Sequence, residues 1–180
     1  MIEELIEAAF AVMAKYRETA DDAFRPKMWP PAPLSGGIPT LKPGVYQPVS
    51  PMLKERFELC GRWTVASHGD WLSVADMETL WSEADTEADP LLEGIKHSQI
   101  AGTEGWPNEA SALFRPERLS LFAGSDITYE KIYLLWIEFE DEPELWVYDA
   151  NGESRYRDLS TYLQAYLAED VSAATQSWRA

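Results

Sequence analysis

Two periods of hydrophobic and polar residues alternate along this chain, and the change from one to the other marks its elements. Ile2, Leu5, Ile6, Ala9, Phe10, Met13 and Tyr16, or the stem of Arg17 in its place, trace one face of a helix over residues 2–18, with Glu3, Glu4, Glu7 and Lys15 opposite. Ser50-Pro51 offers a hydroxyl cap and a first-turn proline for a short helix that Gly61 stops. Residues 62–66 and 71–72 read as strands around the turn Ser67-His68-Gly69-Asp70. Ser73 then caps a helix with Val74, Met77, Leu80, Trp81 and Ala84 on one face, ended by acids and Pro90. Over residues 87–116 periodicity fades among Gly94, Gly102, Gly105 and Pro107, and no element is expected there.

The pattern is clearest over residues 117–170. Residues 131–139 are β-branched and aromatic on both parities, Tyr133, Leu135, Ile137 and Phe139 against Ile132, Leu134 and Trp136, as a strand covered on both faces requires. An acidic turn, Glu140-Asp141-Glu142-Pro143, leads back into residues 145–148 as a hairpin. Asn151-Gly152, a pair that tolerates positive φ, makes a second hairpin with residues 153–157, whose alternating pattern suits a position near a sheet edge. Asp158 caps a closing helix with Leu159, Tyr162, Leu163, Tyr166 and Leu167 on one stripe. The expected fold class is α+β, an antiparallel sheet with helices packed on it.

Between the first helix and Ser50 lies a different kind of segment. Residues 24–51 hold Pro26, Pro30, Pro31, Pro33, Pro39, Pro43, Pro48 and Pro51 out of twelve prolines in the chain, a density that excludes a helix or a central strand. Yet Met28, Trp29, Leu34, Ile38, Leu41, Val45 and Tyr46 need a surface to cover, so the segment reads first as an ordered arm lying across the domain rather than a free linker, with a proline-rich recognition ligand as the lesser reading.

Composition narrows the class of function. A chain of 180 residues, 46% hydrophobic, with eight Trp, eight Tyr and six Phe, supports one substantial domain. Its net charge of -16 opposes nucleic acid and anionic membranes and favours a basic protein partner. One cysteine, Cys60, excludes an internal disulfide and reads as a small buried hydrophobe. The first residues carry Glu3 and Glu4 where a signal peptide needs bases, and no apolar run reaches bilayer length, so a cytoplasmic location is expected.

Candidate chemistry is sparse. His68 with Asp70 and Ser67 or Ser73 has the residue types of a nucleophile, base and orienter, but no nucleophile-elbow pattern surrounds either serine and a turn of Ser, His, Gly and Asp is ordinary. His97 and Cys60 lack ligand spacing for zinc, and Gly124-Ser125-Asp126 lacks the glycines and lysine of a phosphate loop. No catalytic residue, metal or cofactor is expected. Glu138, Glu140, Asp141, Glu142 and Glu144 form the most prominent polar cluster, first a solvated hairpin tip, second a negative ridge for a basic protein, and last a magnesium or calcium site, for which no Asp-x-Asp-x-Asp-Gly loop is present.

The Gly124-Ser125-Asp126 turn, the strand through Trp136, Trp146-Val147-Tyr148-Asp149 with its Asn-Gly turn, and the closing helix together resemble the C-terminal half of the SMI1/KNR4 family, also called the SUKH superfamily. The resemblance is confined mainly to residues 117–170. It implies one α+β domain that acts by binding proteins, many bacterial members resembling immunity proteins that neutralise toxins, often nucleases. The partner expected on this ground is a cognate toxin or other basic protein, met by the acidic cluster together with Trp29 and Tyr46 of the arm. A scaffold or regulatory adaptor of the same fold is the alternative, and a hydrolase a third.

Overall fold

A computed structural model describes residues 1–34, 36–81, 89–103, 115–138, 140–150 and 152–170, with the backbone alone at 81 and 99–103. It is α+β. Five helices are described: α1 (Ile2–Tyr16), α2 (Pro51–Leu59), α3 (Val74–Trp81), α4 (Pro90–Thr103) and α5 (Leu159–Leu167). Among the described residues there are nine strands, β1 (Lys27–Met28), β2 (Ile38–Pro39), β3 (Tyr46–Gln47), β4 (Trp63–Ala66), β5 (Gly69–Trp71), β6 (Leu119–Gly124), β7 (Lys131–Leu135), β8 (Glu144–Asp149) and β9 (Gly152–Tyr156). Seven of them make one antiparallel sheet in the order β1-β4-β5-β6-β7-β8-β9, and β2 pairs with β3.

The double-sided apolar pattern of residues 131–135 is explained by this order, since β7 lies between β6 and β8 and is buried throughout. Register alternates the faces. Tyr133, Trp146 and Arg155 share one, while Leu134, Leu145 and Tyr156 share the other, where Tyr156 meets Tyr162 of α5 edge-on. α1, α2 and α5 pack on one another and against β4, β8 and β9, whereas α3 meets β2, β6 and α4. Trp71 anchors the core, its ring 4.9 Å from Trp63 and 4.7 Å from Phe122. Arg56 of α2 is buried against these rings and donates to the carbonyls of Cys60 and Leu72, and desolvation pushes it down to about 10.

Four expectations change. The strand expected over 131–139 ends at Leu135; Trp136 is half-buried beyond it, bonding Ser120 Oγ through Nε1, and Phe139 lies outside the described residues. Tyr16 is 77% exposed, so Arg17, partly buried, takes the last place on the α1 stripe. A helix, α4, occupies much of the segment where none is expected, starting at Pro90 with Asp89 accepting from the Leu91 and Leu92 amides. Gly94 interrupts its apolar pattern because a Cβ there would come within 2.6 Å of Asp126 Cβ, so the glycine is a packing requirement. The helix expected to stop at Gly61 ends at Leu59 with Cys60 as its C-cap, and Gly61 is also a packing requirement, since a Cβ on it would lie 2.6 Å from the Pro30 carbonyl oxygen. Ala84, Trp106 and Asn151 lie outside the described residues, as does the Trp81 side chain. The arm splits into a part that joins the core, with Ile38, Pro39 and Thr40 buried, and a part from Trp29 to Pro33 that is exposed.

Candidate functional site

Two features that are far apart in sequence meet at one end of the sheet. Trp136, Ile137, Glu138, Glu140 and Asp141, between β7 and β8, form one wall of a cleft of about 660 Å³, and the arm through Val45, Gln47, Pro48 and Val49 forms the other. β3 sets the arm's sidedness. Its two residues face opposite ways, so Gln47 lines this cleft while Tyr46, 42% exposed, turns to a smaller hollow beside Met77 and Glu78 and donates to Glu78 at 2.6 Å; Val45, just before the strand, borders both. Gln47 Nε2 donates to the Glu117 carbonyl at 2.8 Å, tying the arm to the strand entry below.

The cleft has an apolar floor and an acidic rim. Trp136, Ile137, Val45, Val49 and the prolines supply the floor; Glu117, Glu138, Glu140 and Asp141 supply the rim. Among the described lining residues the cation is Arg118, and it donates to Glu138 at 2.7 Å. Glu140 and Asp141 are exposed.

The five-residue acidic ridge expected from sequence is therefore divided in three. Glu138, Glu140 and Asp141 face the cleft. Glu142 turns inward and caps α2 from outside it, accepting from Ser50 Oγ at 2.5 Å and the Met52 amide at 2.9 Å. Ser50 thus donates its hydroxyl to Glu142, and the cap that its position predicts comes from a carboxylate 92 residues away. Glu144 is no part of a surface ridge: it is 2% exposed and paired with Arg155 on the neighbouring strand, because its place in β8 points it into the sheet. Trp29 is 53% exposed but is not among the cleft's lining residues.

His68 and its neighbours assemble differently from the sequence grouping. Its Nδ1 lies 2.6 Å from the Tyr162 hydroxyl, which donates to Ser67 Oγ at 2.7 Å, and its Nε2 lies 3.4 Å from Asp149 Oδ2. Asp70 instead accepts from the Val65 amide at 2.6 Å, holding Val65 at φ 53, and Ser73 makes a reciprocal cap with Asp76 on α3. Burial lowers the His68 pKa against the opposing pull of Asp149 and Glu130. Tyr162 and Asp149 have no local signal, since each comes from a different element more than 80 residues on. The network of Ser67, His68, Tyr162 and Asp149 ties the turn between β4 and β5 to α5 and β8.

Nearby, Arg62 bridges Asp76 of α3 and Asp89 at the start of α4, at 2.6 and 2.8 Å. Burial alone would raise Asp76, but the bonds from Arg62 and Ser73 together hold it below the usual carboxylate range. Among the described residues, no group of three His, Cys, Asp or Glu side chains is placed to hold a metal ion. Among them, too, no helix is long and apolar enough to cross a membrane. No protein-family model, curated protein or solved structure matches the chain.

Proposed function

We propose that this chain is a non-enzymatic protein-binding module whose partner is basic, a bacterial immunity protein that blocks a cognate toxin being the form of that activity its motifs resemble. The observation that carries the reading is the cleft, where Glu138, Glu140 and Asp141 rim an apolar floor supplied by the arm and Trp136. An acidic rim steers a cationic partner and raises its association rate, while apolar and aromatic groups at the centre supply lasting affinity. The chain's overall charge of -16 acts in the same sense.

The test uses the full chain as bait in a lysate of its own organism, beside a Glu140→Lys, Asp141→Lys double variant. The expected result is a basic toxin domain retained at low salt, released at high salt, lost from the double variant and inhibited in its purified activity by the wild-type chain. Retention indifferent to both salt and charge reversal, or a captured protein that is not inhibited, overturns the reading.

A further inference from the structure

The outer part of the arm has a second use that is independent of the cleft. Residues 27–34 read Lys-Met-Trp-Pro-Pro-Ala-Pro-Leu. Three of the last five are proline, and Trp29, Pro30 and Ala32 each precede a proline, which drives them to extended φ and ψ. The result is a short segment committed by its covalent structure to the polyproline II region, with three residues per turn. At that period Pro30 and Pro33 are spaced one turn apart as the Pro-x-x-Pro signature of polyproline ligands, and Lys27, on the strand that leads into them, places a cation three residues ahead of the first.

The fold presents this segment at the surface. Lys27 and Met28 pair with Thr64 and Trp63 as β1, the edge strand of the described sheet. Trp29 is held at both backbone groups, its amide on the Arg62 carbonyl at 2.8 Å and its carbonyl on the Gly61 amide at 2.9 Å. The Pro30 carbonyl sits against Gly61, where no side chain would fit. At the other end, Leu34 packs on the core. Between these anchors Trp29, Pro30, Pro31, Ala32 and Pro33 are all exposed, and an open groove of about 540 Å³ separates residues 31–34 from Val49, Lys54 and Glu58. Prolines on an edge strand ordinarily guard it from pairing. One would suffice for that, and Pro30, Pro31 and Pro33 all lie beyond the strand.

We propose that Lys27–Leu34 is a preorganised polyproline ligand for an SH3-type domain, whose aromatic-lined groove takes Pro30 and Pro33 and whose acidic pocket takes Lys27. Lys27 is available for this exchange: its present partner, Asp22, is 81% exposed at 3.2 Å, the kind of surface pair that a carboxylate of a partner displaces at little cost. Because both ends are anchored, little chain entropy is lost on docking. The motif shares no residue with the acidic cleft, so each reading stands or falls alone.

The experiment titrates the isotope-labelled full chain with purified SH3 domains that carry acidic specificity pockets, following amide and indole shifts. Expected are saturable shifts centred on residues 27–34, with binding weakened about tenfold or more in Pro30→Ala, Pro33→Ala and in Lys27→Glu, and unchanged in the Glu140→Lys, Asp141→Lys variant. The Lys27 variant leaves the prolines in place, so it decides the matter if the double proline variant is destabilised. No saturable binding by any of the domains, shifts centred elsewhere, or affinity unmoved by Lys27→Glu overturns the proposal.

Discussion

Tyr162 brings its hydroxyl into an aromatic core and there meets Ser67 and His68, which makes His68 the side chain through which this core responds to pH. The groups facing it are Asp149 on β8, Glu130 ahead of β7 and Tyr162 on α5. Burial sets its folded pKa below the ordinary 6.5. Between those two values the unfolded chain binds the proton and the folded chain does not, so the contribution of His68 to stability is complete above about pH 6.5 and declines as the pH falls toward the folded value. Asp70, raised by burial, has the opposite sign, and it is common to wild type and variant. Urea midpoints measured from about pH 7.5 to about 5.5 are expected to fall more steeply for wild type than for His68→Gln, and parallel curves would contradict the assignment. Of this site the sequence displays only Ser67, His68 and Asp70 side by side. Its neighbours there suggest Asp70 as the partner, but the bend that puts Val65 at φ 53 sends the Asp70 carboxylate to a backbone amide.

At the scale of elements, α2 depends on a distant part of the chain for its cap. Pro51 and Ser50 mark its start in the sequence, and the helix begins there, yet its orphan amide is satisfied by Glu142 of the β7–β8 connection. Glu142→Ala is expected to cost about 0.5–2 kcal/mol, the range of a lost cap, and to speed amide exchange in the first turn of α2. Equal exchange in variant and wild type would show the cap to be dispensable. The same contact fixes where the acidic connection lies, so Glu142 is a positioning residue for the cleft rather than part of its rim. α4 carries the opposite lesson. Its glycine at 94 reads as a break in the sequence, because the reason for it, contact with Asp126, is a tertiary one. α5, with Asp158 accepting from the Thr161 amide and Leu159, Tyr162 and Leu163 buried, follows its sequence pattern because cap and stripe are both local.

For the whole molecule the dominant electrostatic fact is 31 acidic residues against 15 basic ones. Self-repulsion on that scale opposes the compact state and is relieved by screening. The thermal midpoint is expected to rise when NaCl is raised from about 20 mM to about 500 mM, a range over which the screening length shrinks severalfold. A midpoint that stays level or falls would mean that local pairs such as Arg62 with Asp76 and Asp89 outweigh the net charge. By itself the sequence determined the α+β class, both hairpins after residue 130, the closing helix and the acidic balance, because each depends on periods, caps and turn residues a few positions apart. Only the tertiary structure decided that β7 sits between β6 and β8, that Glu144 is buried with Arg155, that Glu142 caps a distant helix, and that four carboxylates and the arm share one cleft. Those outcomes depend on which strands pair and which faces meet, and contacts across tens of residues leave no local trace in the chain.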